Sequence, residues 1–158
     1  MGTRFVHPEP GPTPRLAALG FLVGDLRGEG WYGKQRSRVE KRVHGSRAAG
    51  GRHVVLDMTT DHFLADGRVD RHGALVVISE TGDDLVARAY TDAGGFVDYV
   101  MEAIAGGVRF TDRVPHGSDA TGACKLLVGT AAGYDEILEI ERADGTRSRH
   151  SQISLERL

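Results

Sequence analysis

Beyond residue 24 the chain is cut into short runs of alternating or β-branched residues, and nearly every run ends in a glycine-containing turn signal. That rhythm constrains the fold more than any other feature. Residues 53–60, 71–78, 85–91, 96–104, 108–114, 124–130, 134–142 and 147–157 each read as a strand, punctuated by Gly67, Gly82, Gly94-Gly95, Gly106-Gly107 and Gly145. Residues 34–43 read as another, with charge on every even position (Lys34, Arg36, Arg38, Glu40, Arg42), so that one face is solvent and the other mixed. Residues 45–51 read as the turn that follows. The segment 96–104 also matches helical spacing through Val97, Val100, Met101 and Ile104, but its flanking double glycines favour strand. Together with the stretch from Gly24 this makes about nine or ten strands at hairpin spacing, the pattern of an all-β sandwich or barrel.

A helix signal precedes the strands. Thr13 is an N-cap, Pro14 occupies the first helical position, and Leu16, Leu19 and Leu22 or Val23 make one apolar stripe. Gly20 and Gly24 hold it to about two turns, too short to be stable unless it lies on something larger. Such a helix has no role in a simple sandwich but can close the mouth of a barrel. The strand faces also mix polar with apolar residues, as a lined cavity would. The expected fold is therefore a single antiparallel up-and-down β-barrel of about 8–10 strands with a short N-terminal helix, large enough to hold one small ligand. The expected organisation is a flexible proline-rich arm over residues 1–12 and the barrel over 13–158.

Charge and cysteine content narrow the function. The 158 residues carry a formal net charge of −2, which argues against a nucleic-acid protein. The basic run 34–42 is interrupted by Glu40 and reads as a solvated face. A lone cysteine, Cys124, excludes an internal disulfide framework and suits a reducing compartment. No apolar run is long enough to span a membrane as a helix and no apolar signal core is present, so the expected location is the cytoplasm. The seven histidines show no metal-ligand spacing, and no protein-built metal site is expected. No nucleic-acid or membrane partner is expected, and a homodimer stays open.

Several residues are candidates for the barrel interior. In 134–142 the apolar face holds Tyr134, Leu138 and Ile140, and it carries Glu136 inward with them. A desolvated carboxyl there would have a raised pKa and be a candidate general acid or base; the alternative is a partner for an internal arginine or a position at the barrel rim. Tyr99 shares a face with Val97 and Met101, and Tyr90 with Arg88 and Val86; either hydroxyl could donate to a ligand. His72 lies beside Ala74 and Val76. Glu136, Tyr99 and His72 are the catalytic candidates, and Gly28, Gly30, Tyr32, Met58, Tyr90, Met101 and Tyr134 the candidate ligand contacts. The glycines at 28 and 30 either let a ligand approach the wall or mark a strand bend at a barrel corner.

The opening Leu-Gly-Phe-Leu-Val-Gly-Asp-Leu-Arg-Gly-Glu-Gly, residues 19–30, resembles that of the nitrobindin family and of related bacterial calycin-like, lipocalin-like barrels. Gly24, Arg27, Gly28, Glu29 and Gly30 match, whereas Leu26 stands where that family has tryptophan. The last strand is similar too, with His150 followed by Leu155 and Arg157. The resemblance implies a calycin barrel and, through His150, a candidate axial haem ligand. The middle of the chain departs from the family, since Asp70-Arg-His-Gly73 lacks the family glutamate. No other cofactor is expected. The primary expectation is binding of a small hydrophobic organic ligand inside the barrel. The alternatives are a cofactor-free cyclase or isomerase acting on a polyketide-like intermediate, and nitrobindin-like haem binding.

Overall fold

A computed structural model describes Gly2 and residues 11–158. Most of the proline-rich arm lies outside the described residues. Of its described part, Gly11 donates its N–H to the Gly50 carbonyl at 2.7 Å.

Among the described residues ten strands form one closed antiparallel barrel. They are β1 (Gly24–Tyr32), β2 (Ser37–Ala48), β3 (His53–Phe63), β4 (Val69–Thr81) and β5 (Asp84–Thr91). The second half comprises β6 (Phe96–Ile104), β7 (Gly107–Asp112), β8 (Gly122–Gly129), β9 (Gly133–Glu141) and β10 (Arg147–Arg157). Each strand pairs with its sequence neighbours, and β10 closes the ring by pairing with β1. The up-and-down barrel expected from the alternation is the observed fold. No helix among the described residues is long and apolar enough to cross a membrane.

The N-terminal helix splits into two pieces. Thr13 accepts the Leu16 N–H through its hydroxyl and starts α1 (Pro14–Ala17), and a separate 3-10 turn covers Gly20–Leu22. Leu16, Leu19 and Leu22 are buried together with Leu26, Val54, Ile78, Leu85, Val108 and Leu155. This apolar plug seals one end of the barrel.

The second strand differs from its expected bounds. It begins at Ser37, because Gly33 to Arg36 form the β1–β2 turn, and it runs through Gly45 to Ala48 where a turn was expected. The reason is the plug. A Cβ at Gly45 would stand 1.8 Å from the Leu22 carbonyl oxygen, so this glycine serves close approach within a strand and not a turn.

Alternation decides what enters the barrel. On β2 the odd residues Val39, Lys41, Val43 and Gly45 are buried, while Arg38 and Arg42 are exposed. The charged even face is thus outside as expected, and the mixed face carries a lysine into the interior. On the outer face Arg38 binds Glu29 and Glu40 and lies over the Phe63 ring at 4.9 Å.

Candidate functional site

The barrel interior has two halves of opposite character. Toward the plug it is filled with aliphatic side chains and Tyr134, which is 1% exposed and tilts against Phe21 at 6.1 Å. Toward the other end a cavity of about 430 Å³ opens, a size within the usual range for small-molecule sites. Val39, Met58, Ala74, Leu138 and Ile153 give it apolar walls, and Tyr32, Thr60, His62, His72 and Ser151 give it polar ones.

Its charged groups are joined; Lys41 and Glu136 are buried, and Lys125 and Asp112 are half-buried. Lys41 Nζ on β2 donates to Glu136 Oε2 on β9 at 2.5 Å. Lys125 Nζ on β8 lies 3.4 Å from Glu136 Oε1 and 3.4 Å from Asp112 Oδ2 on β7. Desolvation alone would push the Glu136 carboxyl up, as expected from sequence, but Lys41 and Lys125 outweigh it and hold the pKa at about 2. Glu136 is therefore an anion at neutral pH and has no proton to donate. Its interior partners are lysines, where an arginine was the expected alternative.

The two ammonium groups respond differently. Desolvation lowers the pKa of Lys41 despite its pairing with Glu136, and the nearby Lys125 charge adds to the effect. Lys125 is also desolvated, but it faces both Glu136 and Asp112 and its pKa is raised. Tyr99 on β6 stands near this cluster, its ring 5.0 Å from that of Phe110, and burial followed by the Asp112 charge raises its pKa.

The mouth of the cavity is ringed by aromatic groups. Tyr32 sits edge-on between His150, at 4.9 Å, and His62, at 5.3 Å, and His62 meets His72 at 5.7 Å. Burial lowers the pKa of His62, helped by the His72 charge, and burial also lowers that of His150. His72 is exposed and its Nε2 lies 2.9 Å from Asp70 Oδ2.

The residues singled out from sequence do not share one place. Tyr32, Met58, His72 and Glu136 line the open cavity together. Tyr134 and Met101 belong to the buried core, and Met101 also lines a separate cleft of about 670 Å³ beside α1, whose charged residues Arg15, Asp83, Asp84 and Glu102 are all exposed. Tyr90, expected among the ligand contacts, is on the outer wall. It shares the outward parity of Arg88 and lies 6.0 Å from the exposed Phe96, over which Arg88 stacks.

Gly28 and Gly30 do not line the cavity. A Cβ at Gly28 would stand 1.9 Å from the Ser154 carbonyl oxygen, and one at Gly30 would stand 1.8 Å from that of Gln152. These glycines let β10 press against β1, which is the strand-bend alternative. His150 occupies the irregularity in β10 between Arg149 and Ser151, where the register with β9 shifts. Its own surroundings form an outer groove with Gly33, Lys34, His116, Ile140, Arg142 and Arg149.

No family model matches the chain, and no curated protein matches it. Among solved structures it is similar to the crystal structure of Rv2717c from M. tuberculosis, with a TM-score of 0.55 and 13% sequence identity. The likeness covers 93% of this chain and 99% of that one, and it extends to the barrel as a whole. At this identity it speaks for the fold alone.

Lys41, Lys125, Asp112 and His62 were missed as a site by sequence reasoning. A signal was present for the first, since Lys41 alternates with Val39 and Val43 and so had to share their face. Nothing in a single sequence says that Lys125 joins Lys41 on the Glu136 carboxylate, or that Asp112 pairs with Lys125.

Proposed function

We propose that the chain binds a small amphipathic organic molecule in the open half of its barrel. The observation that carries this reading is the 430 Å³ cavity whose apolar walls end on the buried Lys41–Glu136 pair and the half-buried Lys125, which Asp112 pairs from behind to balance the charge. A core serving stability alone would gain little from such a cluster, because well-packed apolar residues are commonly as stable as buried ion pairs. A ligand gives the arrangement a use. Its apolar body would lie against Val39, Met58 and Ala74, and its polar end would reach Lys41, Lys125, Thr60 or Ser151. To the small hydrophobic ligand expected from sequence this reading adds a polar end.

Haem is a poorer fit. A porphyrin needs apolar surface on its faces, and the groove around His150 offers Ile140 as its one large aliphatic residue among lysine, arginine, histidine and small polar groups. As for catalysis by proton donation, Glu136 is ionised, and the cyclase or isomerase reading draws no support from it.

The test is a fluorescence titration with 1-anilinonaphthalene-8-sulfonate, an amphipathic probe. Saturable binding to the wild type, lost in Ala74→Trp with an unchanged circular dichroism spectrum, is expected. Equal binding by both proteins would place the probe elsewhere and contradict the reading. Haemin added to the same protein should leave its Soret band unshifted; a shift abolished by His150→Ala would favour haem instead.

A further inference from the structure

The chain has 20 basic residues, of which three are lysines, at 34, 41 and 125. Arginine makes the ion pairs of the outer wall, as in the two-pronged contacts of Arg71 with Asp61 and of Arg88 with Asp98. Yet two of the three lysines face inward and meet on one carboxylate. Arginine is usually the better residue for a buried ion pair, since its guanidinium is always charged and more weakly hydrated. Lysine differs in one chemical respect: it can give up its proton and become a nucleophile.

The two inward lysines are not equivalent. Lys125 pairs with two carboxylates, Glu136 and Asp112, whereas Lys41 pairs with Glu136, feels the Asp112 charge more weakly and is repelled by Lys125. A desolvated lysine beside a second cation is a known way to make an amine reactive near neutral pH. Lys41 also lines the open cavity, alongside Val39, Met58 and Ala74.

We propose that Lys41 captures a small aldehyde or ketone in this cavity as a protonated imine, with Glu136 as its counter-ion. This rests on the binding reading above and names the chemical class of the ligand. The Lys41 ammonium first releases its proton to water. Its lone pair then forms the N–C bond while the carbonyl π pair moves to oxygen, which takes up a proton as the nitrogen gives its own second proton to water. The resulting carbinolamine gains a second proton on that oxygen, the C–O bond breaks to release water, and the nitrogen lone pair forms the C=N bond. In sum, one ammonium and one carbonyl give one iminium and one water, with no oxidant or reductant. The nitrogen is positive in the starting ammonium and in the iminium product, Lys125 remains beside Glu136 while the amine is neutral, and the apolar walls shelter the carbonyl substituent from water.

Reductive trapping tests the proposal. The wild-type protein is incubated with benzaldehyde and cyanoborohydride near neutral pH, digested and mapped by mass spectrometry, with the exposed Lys34 as reference amine. The benzyl adduct should form on Lys41 at least about tenfold faster than on Lys34, and Lys41→Arg should leave no fast site. Labelling of Lys34 or Lys125 at an equal or greater rate than Lys41 would overturn it. The anilinonaphthalene titration separates the two claims: probe binding without Lys41 labelling ends the imine proposal alone, whereas loss of both ends the binding reading with it.

Discussion

Lys41 on β2 reaches Glu136 on β9 at 2.5 Å although β1 and β10 lie between their strands in the barrel wall. Two glycines of β1 account for this reach. Gly28 is the register partner of Lys41 and of Leu155, and Gly30 that of Val39 and Ile153, while Ile153 is in turn the partner of Glu136. With no Cβ at either position, β10 folds against β1, and β2 and β10 approach each other across β1 without pairing. Glycine, crease and ion pair are one device.

Alanine at Gly28 or Gly30 should therefore damage the whole wall. The new Cβ meets backbone, which cannot swing aside as a flexible side chain would. Each variant should lose at least about 2 kcal/mol in urea denaturation. Gly122→Ala, where nothing lies within 4 Å, should stay within about 0.5 kcal/mol of the wild type.

Acid should unfold the protein through Glu136. Its pKa is about 2 when folded, against 4.5 for the ordinary glutamate carboxyl of the unfolded chain, so the folded state binds the proton less readily. The resulting stability is fully present above the unfolded value and is lost as pH falls toward the folded one. Denaturation midpoints should thus drop as pH falls from about 4.5 to about 2. Glu136→Gln should lack that part of the slope and be less stable at neutral pH by about 3–5 kcal/mol, because it strands buried ammonium charge. Equal stability at neutral pH would show that the cluster tolerates its loss.

At the closed end, Leu22→Ala removes a side chain that is 0% exposed. It should cost about 2–5 kcal/mol. Probe affinity at the open end should be unchanged within about twofold, since separated sites act independently. A coupled loss of affinity would mean that the plug shapes the ligand site.

The fold was legible because alternation and turn glycines are local signals, and Phe96–Ile104 and Arg147–Arg157 appear with the bounds that the sequence predicts. The end of β2 was not, because Gly45 looks like a turn residue until the plug's Leu22 is placed on it. The site was half legible. Parity carried Glu136 inward correctly, but the direction of its pKa shift depends on Lys41, 95 residues away in sequence, and on Lys125. The inward face of Gly28 and Gly30 invited a ligand; the Ser154 and Gln152 carbonyls that take that space belong to a strand more than a hundred residues later, and only register reveals them.

Amide chemical-shift mapping of the anilinonaphthalene complex tests the central claim most directly. Shifts concentrated at Met58, Thr60, His62, Ala74, Leu138 and Ser151, with the plug residues Leu16 and Leu22 unmoved, are the expected result. Shifts confined to the outer wall around Tyr90 and Phe96, or to the cleft beside α1, would contradict it.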